Sequence, residues 1–173
     1  MFKGDQVYIR LVESSDAGTI LLWENNPENW KVSETEVQFD LNLVLTLIEQ
    51  AQKIRTYGQL RFMICLNSSD EAIGTIDLFD ANFKHKRAGV GVLIADKSQR
   101  NKGFAKEALT LIVKYSKEIL GFKNLYCTIH SDNKSSVKLF ESIGFEFVGA
   151  RKDWYLDKVK WLDELIYQLC LKS

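Results

Sequence analysis

The hydrophobic period of this chain changes twice near its middle, and that change limits the folds open to it. Leu60 to Leu66 and Ala72 to Phe79 read as strands, joined by the turn residues Asn67-Ser68-Ser69-Asp70. Ala88 to Ala95 reads as a third strand. Then Ala105, Ala108, Leu109, Ile112, Ser116 and Ile119 recur every three or four residues, so a helix runs from about Lys102 to Leu120. Gly121 is placed to stop it. Leu125 to His130 returns to alternation, with Leu125, Cys127 and Ile129 on one face. Consecutive strands favour antiparallel pairing, whereas the strand–helix–strand unit requires a crossover and a parallel pair. The expected fold class is α+β, with a mixed, mostly antiparallel sheet and flanking helices.

The flanks extend this plan. Val7 to Val12 is a strand, and Ser14-Ser15-Asp16 opens a short helix that ends near Asn25. Pro27, the only proline, and its polar neighbours are expected to form a loop. Val44, Leu47, Ile48 and Ala51 give a helix over about Leu41 to Tyr57. Ser131-Asp132 are expected to cap a helix from about Asn133 to Ser142, ended by Gly144. Phe145 to Leu156 and the alternating Leu165, Tyr167, Leu169 and Leu171 make a final hairpin. At 173 residues, without linker or repeat, the chain suits one domain.

Composition excludes several functions. Lys plus Arg total 23 and Asp plus Glu total 23, so no net charge favours a nucleic-acid or membrane-surface partner. No apolar run is long enough to span a bilayer, and the opening MFKGDQVYIRL has no signal-peptide core. Cys65, Cys127 and Cys170 are widely spaced in apolar runs. They are expected to be buried free thiols in a reducing cytoplasm, and they form no metal-ligand pattern. Cys127 and His130 point to opposite faces of their strand, so they form no dyad. His85, between Lys84 and Lys86-Arg87, reads as part of a surface turn, and Trp30, Trp154 and Trp161 as packing residues.

One segment carries chemistry: Ile94-Ala95-Asp96-Lys97-Ser98-Gln99-Arg100-Asn101-Lys102-Gly103-Phe104-Ala105. A strand ends, a proline-free loop follows, and an amphipathic helix begins. The first amides of that helix have no internal acceptor and carry the positive end of its dipole. A pyrophosphate fits such a site. Gly103 permits close approach, Arg100 and Lys102 add charge, and Asn101 tolerates a positive φ. A Walker loop is excluded because no Gly-Lys-Ser/Thr triplet is present.

Arg100-x-x-Gly103-x-Ala105 resembles the Q/R-x-x-G-x-G/A motif of the GCN5-related N-acetyltransferase (GNAT) superfamily. Asn133-x-x-Ser136-x-x-Leu139-Phe140-Glu141-x-x-Gly144-Phe145 is similar to the family's next helix and strand. Ile73-Gly74-Thr75-Ile76-Asp77-Leu78 and Arg87-Ala88-Gly89-Val90-Gly91 are similar to its central strands, and Ile9-Arg10-Leu11 and Trp23 also fit. The resemblance covers nearly the whole chain and is closest to the RimJ/RimL-type and spermidine N-acetyltransferase branch.

The resemblance implies that the parallel strands splay into an acetyl-CoA cleft. Val92, Leu93 and Ile94 would pair with the pantetheine like an added strand. Arg100, Asn101, Lys102, Gly103, Phe104 and Ala105 would hold the pyrophosphate. Asn133 would hydrogen-bond the pantetheine arm, with Ser136 near the thioester sulfur. An amine would attack the thioester directly: a protein N-terminus, a polyamine or another small amine. A homodimer is also implied, and no metal is. Two departures bear on catalysis. Phe140 stands where many members place a Tyr general acid, leaving Ser136 or water to protonate the thiolate. Gly89 stands where the spermidine-acetylating branch often carries Glu, leaving Asp77, in the face shared by Thr75 and Phe79, as the best carboxylate for a base or substrate role. By the same resemblance, Glu24 and Asn26 of the Asn25-Asn26-Pro27 loop are candidates for the acceptor side, with specificity set by the loops around Asn25–Glu36 and the final hairpin. The missing strong base leans toward amines of low pKa, because deprotonating a lysine-type amine at pH 7 costs about 4–5 kcal/mol and an α-amine about 1. A CoA-binding module without turnover, or an interaction domain, is the alternative.

Overall fold

A computed structural model of the protein describes residues 1–33 and 38–171. Its strands are β1 (Phe2–Lys3), β2 (Val7–Leu11), β3 (Leu60–Leu66), β4 (Ala72–Asn82), β5 (Arg87–Ile94), β6 (Asn124–His130), β7 (Glu146–Asp157) and β8 (Lys160–Cys170). They form one sheet in the order β1-β2-β3-β4-β5-β6-β8-β7. The pairing is antiparallel except between β5 and β6. The helices are α1 (Ala17–Glu24), α2 (Pro27–Ser33), α3 (Leu41–Gln50), α4 (Ile54–Tyr57), α5 (Phe104–Glu118) and α6 (Lys134–Ile143). The expected α+β class, with its one parallel pair, is the class observed.

Two cores lie on the sheet. The larger joins Ile64, Ile76, Leu78 and Val90 to Leu109 and Ile112 of α5 and to Phe140 of α6. The smaller joins Tyr8, Met63 and Cys65 to Ile20 of α1 and to Val44 and Ile48 of α3. Side chains alternate across a strand, so the two sets leave opposite faces of the sheet.

Several sequence expectations need correction. Pro27 opens a helix instead of sitting in a loop, because the Asn26 side chain accepts from the Glu28 amide at 3.1 Å. Proline at a first helical position costs nothing there. The long helix over Leu41–Tyr57 breaks into α3 and α4: the Ala51 carbonyl accepts from Arg61 N at 2.9 Å, which commits it to β3. Asn133, and not Ser131-Asp132, caps α6, its Oδ1 accepting from Ser136 N at 3.2 Å. Cys170 is exposed, unlike the buried Cys65 and Cys127, and Trp154 and Trp161 lie on the surface of the final hairpin. The β1 strand was not expected at all.

Candidate active site

The parallel pair holds over three residue pairs only, Arg87–Gly89 with Asn124–Tyr126. Beyond Gly89 the strand β5 continues to pair with β4, up to Ile94 opposite Gly74. Its edge toward β6 therefore has no strand partner from Val90 to Ile94. Two clefts, of about 630 Å³ and 410 Å³, occupy this opening. Both are lined by Val92, Leu93, Asn133 and Ser136, so they form one channel.

The smaller cleft ends at the loop before α5. Asn101 (φ 62°) and Gly103 (φ 90°) both adopt the left-handed conformation that turns the chain into the helix. The first helical bond runs from Glu107 N to Gly103 O at 3.1 Å. The amides of Phe104, Ala105 and Lys106 consequently have no acceptor within the helix. Arg100 does not stand as a loose charge beside them. Its Nε donates to Ile94 O at 2.9 Å and its Nη2 to Asn29 Oδ1 at 3.1 Å, bracing the loop against the end of β5 and against α2. Lys102 donates to Gln99 Oε1 at 3.0 Å and is not among the lining residues, whereas Lys106 is.

The larger cleft opens on the α1–α3 side of the sheet and reaches through the splay to Ser136 and Phe140 of α6. Antiparallel register places Arg61 opposite Asp77, and Asp77 opposite Gly91, in one row across β3, β4 and β5. Arg61 Nε donates to Asp77 Oδ1 at 2.7 Å and Nη2 to Oδ2 at 3.2 Å, while Nη1 meets Glu24 Oε1 at 3.3 Å. The charge of Asp77, outweighing burial, keeps Arg61 protonated beyond its ordinary range. Beside the pair, Gly91 presents nothing: a Cβ there would touch only Phe79 Cε1, at 3.8 Å. In the next row, the ring of Phe79 lies over Gly89, at 2.2 Å from where a Cβ would stand. Phe79 thus fills the room that a side chain at 89 would need. It meets Tyr126 edge-on at 5.8 Å.

Across the opening, β6 contributes Thr128 and His130. The imidazole of His130 stacks on Tyr155 at 3.8 Å. The Tyr155 hydroxyl and Arg151 both bond the buried Glu164 carboxylate, which fixes the ring under His130. Ser136, in the first turn of α6, and Phe140 complete the lining. Phe140 is buried edge-on against Phe145 at 5.0 Å and offers no proton.

The structure therefore gathers Glu24, Asp77, Ser136, Asn133, Val92 and Leu93 around the larger cleft, and Ile94, Arg100, Asn101, Gly103, Phe104 and Ala105 around the smaller. It does not bring in Asn26, whose side chain caps α2. Of the Asn25–Glu36 region, residues 34–37 lie outside the described residues. Arg61 and His130 also line the larger cleft, and the sequence reading did not place them there. Arg61 carried a signal, a charge among the apolar residues of β3 that mirrors Asp77 in β4. His130 became visible only through the splay. Cys127 faces the core, and burial pushes its thiol up to about 12. Among the described residues, no three His, Cys, Asp or Glu side chains are placed to hold a metal ion. No described helix is long and apolar enough to cross a membrane.

The site is thus a parallel strand pair opened beside a helix N-terminus, with a second cleft at its other end. The sequence model of the acetyltransferase (GNAT) domain matches residues 6–146, and the chain belongs to that family of N-acetyltransferases. An uncharacterized N-acetyltransferase p20 of Bacillus licheniformis is 25% identical over 166 residues, 95% of this chain and 93% of that protein. A spermidine N(1)-acetyltransferase of Vibrio cholerae is 29% identical over 92 residues, 53% of this chain and 52% of that protein. Among solved structures, spermidine N-acetyltransferase from Vibrio cholerae, in complex with CoA and spermine, superposes with a TM-score of 0.87 at 22% identity, covering 96% of each chain.

Proposed function

We propose that the protein transfers the acetyl group of acetyl-CoA to a primary amine by direct attack, without an acyl-enzyme. The observation that carries this is the continuous channel. It runs from the unpaired amides at the start of α5, along the unpartnered edge of β5, to the Arg61–Asp77 pair. Its residues fit acetyl-CoA. The Phe104, Ala105 and Lys106 amides suit a pyrophosphate, and the backbone of Val92, Leu93 and Ile94 suits the amides of a pantetheine arm. When bound, acetyl-CoA supplies an activated acetyl group on a thiolate that leaves readily.

The chain's own residues position and neutralise. The open space over Gly91 admits the attacking nitrogen beside Asp77. The N–C bond forms as the C–S bond breaks, the nitrogen gives up a proton toward Asp77 or water, and the thiolate takes one from Ser136 or water. Alignment supplies much of the rate. The Cys127 thiol, protonated at neutral pH and turned into the core, supports direct attack over a cysteine intermediate. A reading as a CoA-binding module is favoured only by Phe140 at the usual acid position. The free cysteines accord with a reducing cytoplasm, and the exposed Trp154, Leu156, Val159 and Trp161 with a homodimer.

The test is release of CoA thiol from acetyl-CoA with a panel of amines. Acceptor-dependent release is expected, with Asp77→Asn reducing kcat more than it changes acetyl-CoA affinity. Tight acetyl-CoA binding with no release for any amine would replace the enzyme with the binding module.

A further inference from the structure

The acceptor end of the larger cleft has two parts of unlike chemistry. One is the Glu24–Arg61–Asp77 group, whose formal charge is −1. The other is a wall from α1, α3 and the segment just before α3: Ile20, Phe39, Val44, Leu47 and Ile48. Ile20, Val44 and Ile48 are each less than 5% exposed members of the smaller core, so this wall is the edge of that core, with the half-buried Phe39 and Leu47 as the part a ligand reaches. Beyond the Arg61 group, the described lining on this side offers the polar side chains of Gln59 and Thr75 alone.

From this juxtaposition we infer that the acceptor is a small monoamine on an apolar body, with no carboxylate beside its nitrogen. This rests on the acetyltransferase reading above and specifies its substrate. The ammonium is drawn to the carboxylates of Glu24 and Asp77, and its hydrocarbon part lies along α3. A carboxylate on the same carbon meets repulsion. Arg61 is the one Lys or Arg among the described lining residues of this cleft, and its guanidinium is engaged by Asp77 and Glu24 on separate nitrogens. Among the described residues, a second ammonium at the far end of the acceptor loses its water against the apolar wall and meets no carboxylate on it, Asp132 lining the cleft across the strand opening. The same wall addresses the missing strong base. Desolvation disfavours an ammonium, so an amine pressed against this wall gives up its proton more readily than in water. The proton passes toward Asp77 as the nitrogen bonds to the acetyl carbon and the C–S bond breaks.

The test is the series propylamine to hexylamine, with 1,6-diaminohexane, spermidine, norleucine and a peptide with a free N-terminus as comparisons. Burial of each methylene predicts a rise in kcat/KM of about fourfold per carbon until the cleft is filled. Hexylamine should exceed 1,6-diaminohexane and spermidine by about tenfold or more, and pentylamine should exceed norleucine, which differs by one carboxylate, by a similar factor. Leu47→Glu, on the half-buried side of α3, should reverse the order of hexylamine and diaminohexane while leaving acetyl-CoA affinity unchanged. Transfer with no dependence on chain length, or preference for spermidine, norleucine or the peptide, overturns the inference and leaves the acetyltransferase standing. If no amine is acetylated, that reading falls. The inference is then decided by calorimetric binding of the same series to the CoA-loaded protein, where the chain-length rise supports it and a flat series overturns it.

Discussion

Gly89→Ala isolates the contact that gives this site its shape. The added Cβ would lie 2.2, 2.5 and 2.7 Å from Phe79 Cε2, Cζ and Cδ2, all inside van der Waals contact. The backbone does not absorb the conflict, since Gly89 sits in the paired register of both β4 and β6. The ring must move by about an ångström, away from its edge-on contact with Tyr126. Overpacking of this kind costs about 1–3 kcal/mol, and the aromatic contact it disturbs is worth about 0.5–1.5. We expect Gly89→Ala to lose about 2 kcal/mol in urea unfolding at unchanged slope. In a Phe79→Ala background the obstacle is gone, and alanine in a strand interior is favoured over glycine by about 0.5–1 kcal/mol. The coupling between the two sites should then be about 2–3 kcal/mol. Equal cost of Gly89→Ala in both backgrounds would refute the view that Phe79 fills this space.

Further outcomes follow from the same geometry. Arg100→Ala removes the brace between the α5 loop, Ile94 O and Asn29, and should raise the acetyl-CoA Kd about tenfold by calorimetry, roughly one charged hydrogen bond's worth. Asn133→Ala removes the cap of α6 and should lower the unfolding free energy by about 1 kcal/mol. Burial alone would raise the Asp16 pKa, but Arg10 and the Glu13 amide overcome it and hold the carboxyl below its ordinary 3.8. Its stabilisation is fully present above that value and is lost as pH falls through the lower folded one. The urea midpoints of the protein and of Asp16→Asn should therefore converge on acidification below about pH 4; a constant gap would count against the pair. One of three thiols, Cys170, should react with a thiol reagent in native buffer at pH 8, because Cys127 is buried with its pKa pushed up to about 12 and Cys65 is also buried.

The strands and the crossover were legible because each is a matter of period. Leu60–Leu66 and Gly144 fall where alternation and a left-handed stop require them. Asn101 was legible for the same reason: its φ of 62° suits few other side chains. What failed was local competition. Asn26-Pro27 has the chemistry of a helix start as much as of a loop, and only the bond to Glu28 N decides. The break after Gln50 depends on Arg61, a partner ten residues beyond Ala51 that periodicity does not register. The candidate site divides similarly. Asp77 stood out as a charge in an apolar strand, but its engagement by Arg61, which also holds Glu24, is a tertiary fact. So are the stacking of His130 on Tyr155 and the turning of Arg100 onto Asn29.

The shortness of the β5–β6 pairing has a consequence for cooperativity. Three residue pairs stitch a block of β1 to β5 to a block of β6, β8 and β7, and otherwise the blocks meet chiefly where α6 packs on α5. Apart from the two-residue pairing of β1 at the sheet's edge, this seam is the weakest line through the sheet. An extended ligand lying along Val90–Ile94 adds the missing rungs, so occupancy of the cleft and continuity of the sheet become the same event. Amides of β6 and β8 should then exchange with solvent through opening of the seam when the protein is empty, and only through global unfolding when it is loaded.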